Sequence, residues 1–267
     1  MAQAPLRNSV RSFVDERQSR GRYSFVLDEI GAETGRSAIA IAASLRRLKS
    51  QRRVVSPRRG FFVVVPPEYR SAGSPPASWF IDDLMRFLGQ TYYVGVLSAA
   101  AIHGAAHQQP QVFQVITDRP TRPARAGRVH VVFHAGRPIE RRHTELKQTE
   151  TGTMVVATPE TTAFDLVHYQ AAAGHLANVA TVLRELAERL DGSALVTLAA
   201  VYAVPDVQRL GYLLEQSGQP DLADPLAAWL VTRRVRPVAL APGESRGDLP
   251  SENRWRVIPN EAVEADL

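Results

Sequence analysis

Downstream of Ser37 the apolar residues Ala38, Ile41, Leu45 and Leu48 recur at three- and four-residue spacing, and two short runs of valine and phenylalanine follow at once. Such spacing demands an amphipathic helix with one buried stripe, running to about Ser50. The runs at 52–55 and 60–65 predict two β-strands joined by Ser56-Pro57-Arg58-Arg59. Ser37 stands where it can cap the helix. Upstream, residues 13–19 predict a short helix, and Ser24 predicts the N-cap of another over 25–30. Gly31 and Gly35 bracket the turn that follows.

Helix, turn, helix and hairpin in this order define a winged helix-turn-helix, assigned to residues 1–66. Its charge agrees. Up to Val65 there are thirteen basic residues against five acids, a net of +8, whereas the whole chain carries +5. The remainder is therefore mildly acidic, and a polyanion partner is expected at one end only. At about 100° per residue, the helix side opposite the apolar stripe carries Arg36, Ile39, Ala40, Ala43, Arg47 and Ser50, with Arg46 on its edge. Small residues there let the backbone approach base edges in a major groove. Amides near Ser37 can accept a phosphate. Arg58 and Arg59 at the hairpin tip, flanked by Arg52 and Arg53, are expected to follow the DNA backbone or reach the minor groove.

The Gly/Pro-rich stretch 67–78 reads as a linker, and residues 79–267 as a second domain mixing helices and strands. Helices are predicted over 79–88, 97–106, 175–190, 193–202 and 207–216, and strands over 112–117, 129–134 and 154–157. Thr158 caps a further helix with Pro159 at its first position. Residues 235–240 and 255–258 predict a pair of terminal strands. The fold class is thus α+β: an N-terminal winged helix-turn-helix domain followed by a larger mixed α/β regulatory domain.

Several kinds of chemistry are not expected. With no cysteine, thiol nucleophiles and cysteine-based metal sites drop out. His103 and His107 have a metal-compatible spacing without the carboxylate of a metalloprotease helix, and read as packed or surface residues. His130 and His134 read as ordinary strand residues, while His168 and His175 lack an organised companion. Asp165 reads as a carboxylate satisfied by an arginine or backbone group, Glu160 as a helix-dipole partner, and Trp229 and Trp255 as core aromatics. No phosphate-binding loop or serine elbow is present, so neither catalytic residues, metal nor cofactor is expected. No apolar run reaches the length of a membrane span or resembles a signal peptide, which makes the cytoplasm the expected compartment.

The sequence Ser37-Ala38-Ile39-Ala40-Ile41-Ala42-Ala43-Ser44-Leu45-Arg46-Arg47-Leu48, followed by Arg58-Arg59-Gly60-Phe61-Phe62-Val63-Val64-Val65-Pro66, resembles the N-terminal domain of AbiEi-type antitoxins. Tyr92-Tyr93-Val94-Gly95-Val96-Leu97 resembles the start of that family's second domain. Thr158-Pro159-Glu160-Thr161-Thr162-Ala163-Phe164-Asp165-Leu166, Arg209-Leu210-Gly211-Tyr212-Leu213-Leu214-Glu215 and Trp255-Arg256-Val257-Ile258-Pro259-Asn260 resemble later segments. Phe62 departs from the tyrosine of the family's wing but keeps an aromatic ring. The resemblance implies a repressor of its own operon that binds inverted repeats in double-stranded DNA, with self-association on the DNA. It also implies a nucleotidyltransferase-like toxin as partner. The alternatives are a free-standing, ligand-responsive winged-helix regulator and an enzyme carrying a DNA-targeting domain.

Overall fold

The computed structural model describes residues 9–105, 110–136, 138–246 and 249–263. The N-terminal unit runs α1 (Val10–Ser19), β1 (Ser24–Val26), α2 (Leu27–Thr34), α3 (Ala38–Ser50), β2 (Val54–Arg58) and β3 (Phe61–Val64). The strands form an antiparallel sheet in the order β1-β3-β2. Its core is aromatic. Phe25 stacks on Phe62 at 5.4 Å and takes the edge of Phe13 at 5.3 Å, over Ile30, Ile41, Leu45 and Leu48.

Two local expectations are corrected here. Ser24 does not cap a helix. It opens β1, whose Phe25 lies opposite Phe62, and the helix starts only at Leu27. The Glu29 carboxylate takes over at that helix start, accepting from the Val26 amide at 2.8 Å. Cross-strand packing of two phenylalanines outweighs the local capping preference. Ala38, expected in the buried stripe, is exposed, because the first helical turn projects beyond the core that Ile41, Leu45 and Leu48 fill.

The second unit is built on a six-stranded mixed sheet in the order β6-β7-β5-β4-β9-β8. The strands are β4 (Tyr92–Val94), β5 (Phe113–Thr117), β6 (Ala124–Ala126), β7 (Val129–Ala135), β8 (Thr144–Thr149) and β9 (Gly152–Ala157). The pairs β5/β7 and β4/β9 are parallel. Helices α4 (Ile81–Leu88) and α5 (Val96–Ile102) flank β4 in sequence. Beyond the sheet lie α6 (Pro159–His168), α7 (His175–Leu186), α8 (Gly192–Ala199), α9 (Val204–Gln216) and α10 (Pro220–Val231). The strands β10 (Val238–Ala239) and β11 (Val257–Ile258) form a short parallel pair. Helix α6 is the hub: Glu160 through Val167 are all buried, and α5, α7, α8 and α9 pack around it. Thr158 caps it by accepting from the Thr161 amide, with Pro159 in the first turn. Among the described residues, no helix is long and apolar enough to cross a membrane.

Residues 67–78 do not run slack between the units. They form 3₁₀ turns at Pro67–Tyr69 and Ala77–Trp79, with Ser74 and Ala77 buried. Tyr23 and Tyr69 both pack on Trp79, at 4.7 and 5.3 Å. Phe61 and Val63 of the hairpin join the core of the second unit.

Candidate nucleic-acid interface

Helix α2 ends at Gly35, whose left-handed backbone (φ +62°) turns the chain sharply while its amide donates to the Gly31 carbonyl. Ser37 then caps α3, its hydroxyl accepting from the Ala40 amide at 3.4 Å. A Ser37→Ala change should therefore cost about 1 kcal/mol of unfolding free energy, read by urea denaturation. Ile41, Leu45 and Leu48 face inward, leaving Arg36, Ser37, Ile39, Ala43, Arg46, Arg47 and Ser50 exposed and Ala40 half-buried. Ile39 is 84% exposed, so the second unit does not cover this side of the helix. Lys49 lies over the Phe62 ring at 5.0 Å, and Arg52, with φ +52°, projects from the turn into β2.

The basic residues of the N-terminal unit divide into two groups. Arg17 is buried, bridging Glu29 at 2.5 Å and Glu33 at 3.5 Å. Arg53 is half-buried and paired with Asp15. Arg58 turns toward the second unit, donating to the Pro123 carbonyl at 2.9 Å and also to the Arg122 carbonyl. Burial and the neighbouring Arg122 lower its pKa. Of the four hairpin arginines, Arg52 and Arg59 remain exposed, while Arg53 and Arg58 hold the fold together. The hairpin leans on the second unit, with β2 against β6 and Gly60 beneath the Phe87 ring.

A second polar cluster is wholly internal. Asp165 on α6 is fully buried, and its Oδ1 accepts from Arg142 at 2.8 Å, Tyr202 at 2.8 Å and Tyr93 at 3.3 Å. The Arg142 guanidinium also stacks on the Tyr202 ring at 3.7 Å. Burial pushes the Asp165 carboxyl up, and Arg142 and the two hydroxyls pull it back. The phenols of Tyr93 and Tyr202 are pushed well above their usual range by burial and by Asp165. They stay protonated donors. The arginine expected for Asp165 is present, but it comes from a distant loop. With no solvent access, the cluster cross-links Arg142, just after a 3₁₀ turn at Ile139–Arg141, with β4, α6 and Tyr202 beyond α8.

Among the described histidines, the expectation fails at His168. His103 is buried, with Nε2 2.8 Å from the Ala157 carbonyl, while His107 lies outside the described residues. Burial lowers the pKa of His134. His168 does have a companion: its Nδ1 lies 2.7 Å from Asp206, which also pairs with Arg209 at 3.3 Å. No sequence signal joined these residues, since α6 and α9 meet only in the folded helical layer. Glu160 accepts from the Asp191 amide at 3.1 Å, ahead of α8, which is a long-range bond beyond its place at a helix start. Trp255 is fully buried, whereas Trp229 is half-buried beneath Arg233. Among the described residues no three His, Asp or Glu side chains gather as metal ligands.

A winged helix-turn-helix with an open basic helix, fastened through its hairpin to a larger mixed α/β unit, defines the class of the protein. Residues 93–216 match the family model described as the AbiEi antitoxin C-terminal domain. A solved structure, the Rv2827c protein from Mycobacterium tuberculosis, shares the fold with a TM-score of 0.66. The alignment covers 96% of this chain and 94% of that one at 16% identity. No match is found among curated proteins.

Proposed function

We propose that this chain is an AbiEi-type antitoxin that binds operator DNA through α3, represses its own operon, and opposes a nucleotidyltransferase-like toxin through its second domain. The observation that carries the DNA half is the uncovered face of α3, where Arg36, Arg46 and Arg47 surround small side chains. That face suits major-groove entry, with arginine to guanine edges and Ile39 or Ala43 against thymine methyls. Recognition of inverted repeats requires two copies, one on each half-site.

The experiment is fluorescence anisotropy with the duplex lying upstream of the chain's own gene. Arg36→Ala and Arg47→Ala should each weaken binding by about 1–3 kcal/mol, roughly 5- to 150-fold, with unchanged thermal melting. Unaltered affinity in both variants would remove α3 from the interface. Arg59→Ala should instead weaken binding to all sequences alike and lower the salt slope by about one. For the toxin half, co-expression with a nucleotidyltransferase-like toxin from the same operon should restore growth. Continued growth arrest would defeat it.

A further inference from the structure

The six-stranded sheet has one covered edge and one open edge. Strand β6 lies under the hairpin, whose β2 packs against it. At the other end, β8 pairs with β9 alone among the described residues. Two hydrogen bonds fix which backbone groups of β8 stay free. The Thr158 amide donates to the His143 carbonyl at 3.1 Å, so the odd-numbered residues of β8 turn their backbone groups toward β9. Val155, opposite Leu146, gives its amide to the Tyr92 hydroxyl at 3.3 Å, on the side away from β8. The N–H and C=O groups of Thr144, Leu146 and Gln148 therefore point outward from the sheet. All three residues are exposed, and Leu146, though apolar, is 70% exposed. An open row of this kind is a template for a further strand.

We propose that β8 is the contact strand of a symmetric dimer, in which two copies of this chain join edge to edge and their sheets run on as one. The register selects the occupant. A two-fold axis presents the same strand from both copies, antiparallel and self-paired. Free backbone groups must meet free backbone groups, which pairs even-numbered residues with even-numbered ones. For the strands to overlap along most of their length, the axis then passes through Glu145, Leu146 or Lys147. An axis at Glu145 sets two carboxylates face to face, and one at Lys147 sets two ammonium groups face to face; both repel. An axis at Leu146 sets Leu146 against its own copy, Thr144 against Gln148, and Glu145 against Lys147 of the second copy, twice over. Glu145 and Lys147 already share one face, 2.8 Å apart, so the two copies would close an alternating square of charge. A lone lysine guards an edge strand against pairing. An acid and a base flanking a leucine instead make the edge complementary to itself.

Sedimentation velocity of the full-length chain, without DNA, reads the association independently of the operator-binding proposal. The wild-type chain should form a dimer, and Lys147→Glu should raise its dissociation constant about tenfold or more, with an unchanged circular dichroism spectrum. The double reversal Glu145→Lys/Lys147→Glu restores opposite charges across the axis and should restore the dimer. The chain has no cysteine, so Leu146→Cys treated with the thiol oxidant diamide should yield a disulfide-linked dimer. Val231→Cys, at a position 84% exposed on α10, should stay largely unlinked under the same conditions. A wild-type chain that sediments as a monomer at every concentration would overturn the inference. So would a dimer that Lys147→Glu leaves intact, since its contact would lie elsewhere. If the chain is monomeric and Lys147→Glu abolishes co-purification with a co-expressed toxin, the edge serves the toxin and the dimer is wrong.

Discussion

Replacing Arg142 by alanine is expected to cost about 3–5 kcal/mol of unfolding free energy. The change strips the principal partner from a carboxylate that solvent cannot reach, since Asp165 is 0% exposed and Arg142 7% exposed. The two remaining hydrogen bonds, from Tyr93 and Tyr202, satisfy an oxygen without supplying a positive charge. The space behind cannot relax to admit water easily: a β-carbon on Gly95 would already stand 3.1 Å from Asp165 Oδ2. An apolar replacement of both charges, Arg142→Met with Asp165→Leu, should therefore be less damaging than Arg142→Ala alone, because no buried charge is left unpaired. Urea unfolding followed by circular dichroism reads both variants. A loss below about 1 kcal/mol in Arg142→Ala would mean that the ion pair does not carry the energy assigned to it.

Gly211→Ala is expected to destabilise the chain by about 3 kcal/mol, although alanine is by about 1 kcal/mol the better helix former. Gly211 lies within α9, and its missing side chain is the slot into which the fully buried Trp255 ring fits. An added β-carbon would fall inside the van der Waals envelope of ring atoms Cζ3 and Cη2. The ring cannot simply retreat. Its Nε1 donates to Glu215, its backbone carbonyl accepts from Gln208 at 2.7 Å, and Arg254 lies over its face at 5.0 Å. Overpacking therefore outweighs helix propensity. Pairing the change with Trp255→Leu should recover part of the loss, since a smaller side chain frees the slot. Chemical denaturation of the single and double variants checks this. A stabilised Gly211→Ala would show that the ring moves without cost.

These two predictions show where local pattern ended and tertiary packing began. In Arg209-Leu210-Gly211-Tyr212-Leu213-Leu214-Glu215 the helix was readable, but the reason for its glycine lay some forty residues downstream, in Trp255. Likewise Asp165 could be assigned an arginine, yet nothing in sequence spacing selected Arg142, Tyr93 or Tyr202. Strands β4, β6 and β8 escaped because they are short or, as in Thr144–Thr149, largely polar edge segments without a strong apolar alternation. Their pairing depends on neighbours far away in the chain. Helix α10 opens on Pro220 with Asp221 in its first turn, but Pro225 inside it interrupts the helical pattern.

The sequence by itself determined α3, its serine cap, its apolar stripe and the basic character of its opposite side, because period and capping act over one or two helical turns. It also determined that strands follow as a hairpin, and that Thr158 and Pro159 begin a helix. Only the tertiary structure decided which arginines face outward. Arg17, Arg53 and Arg58 were indistinguishable from Arg36, Arg47 and Arg59 in composition, and long-range partners alone separated them. The physical reason is that an arginine's disposition depends on whichever carboxylate or carbonyl the completed chain places within about 3 Å.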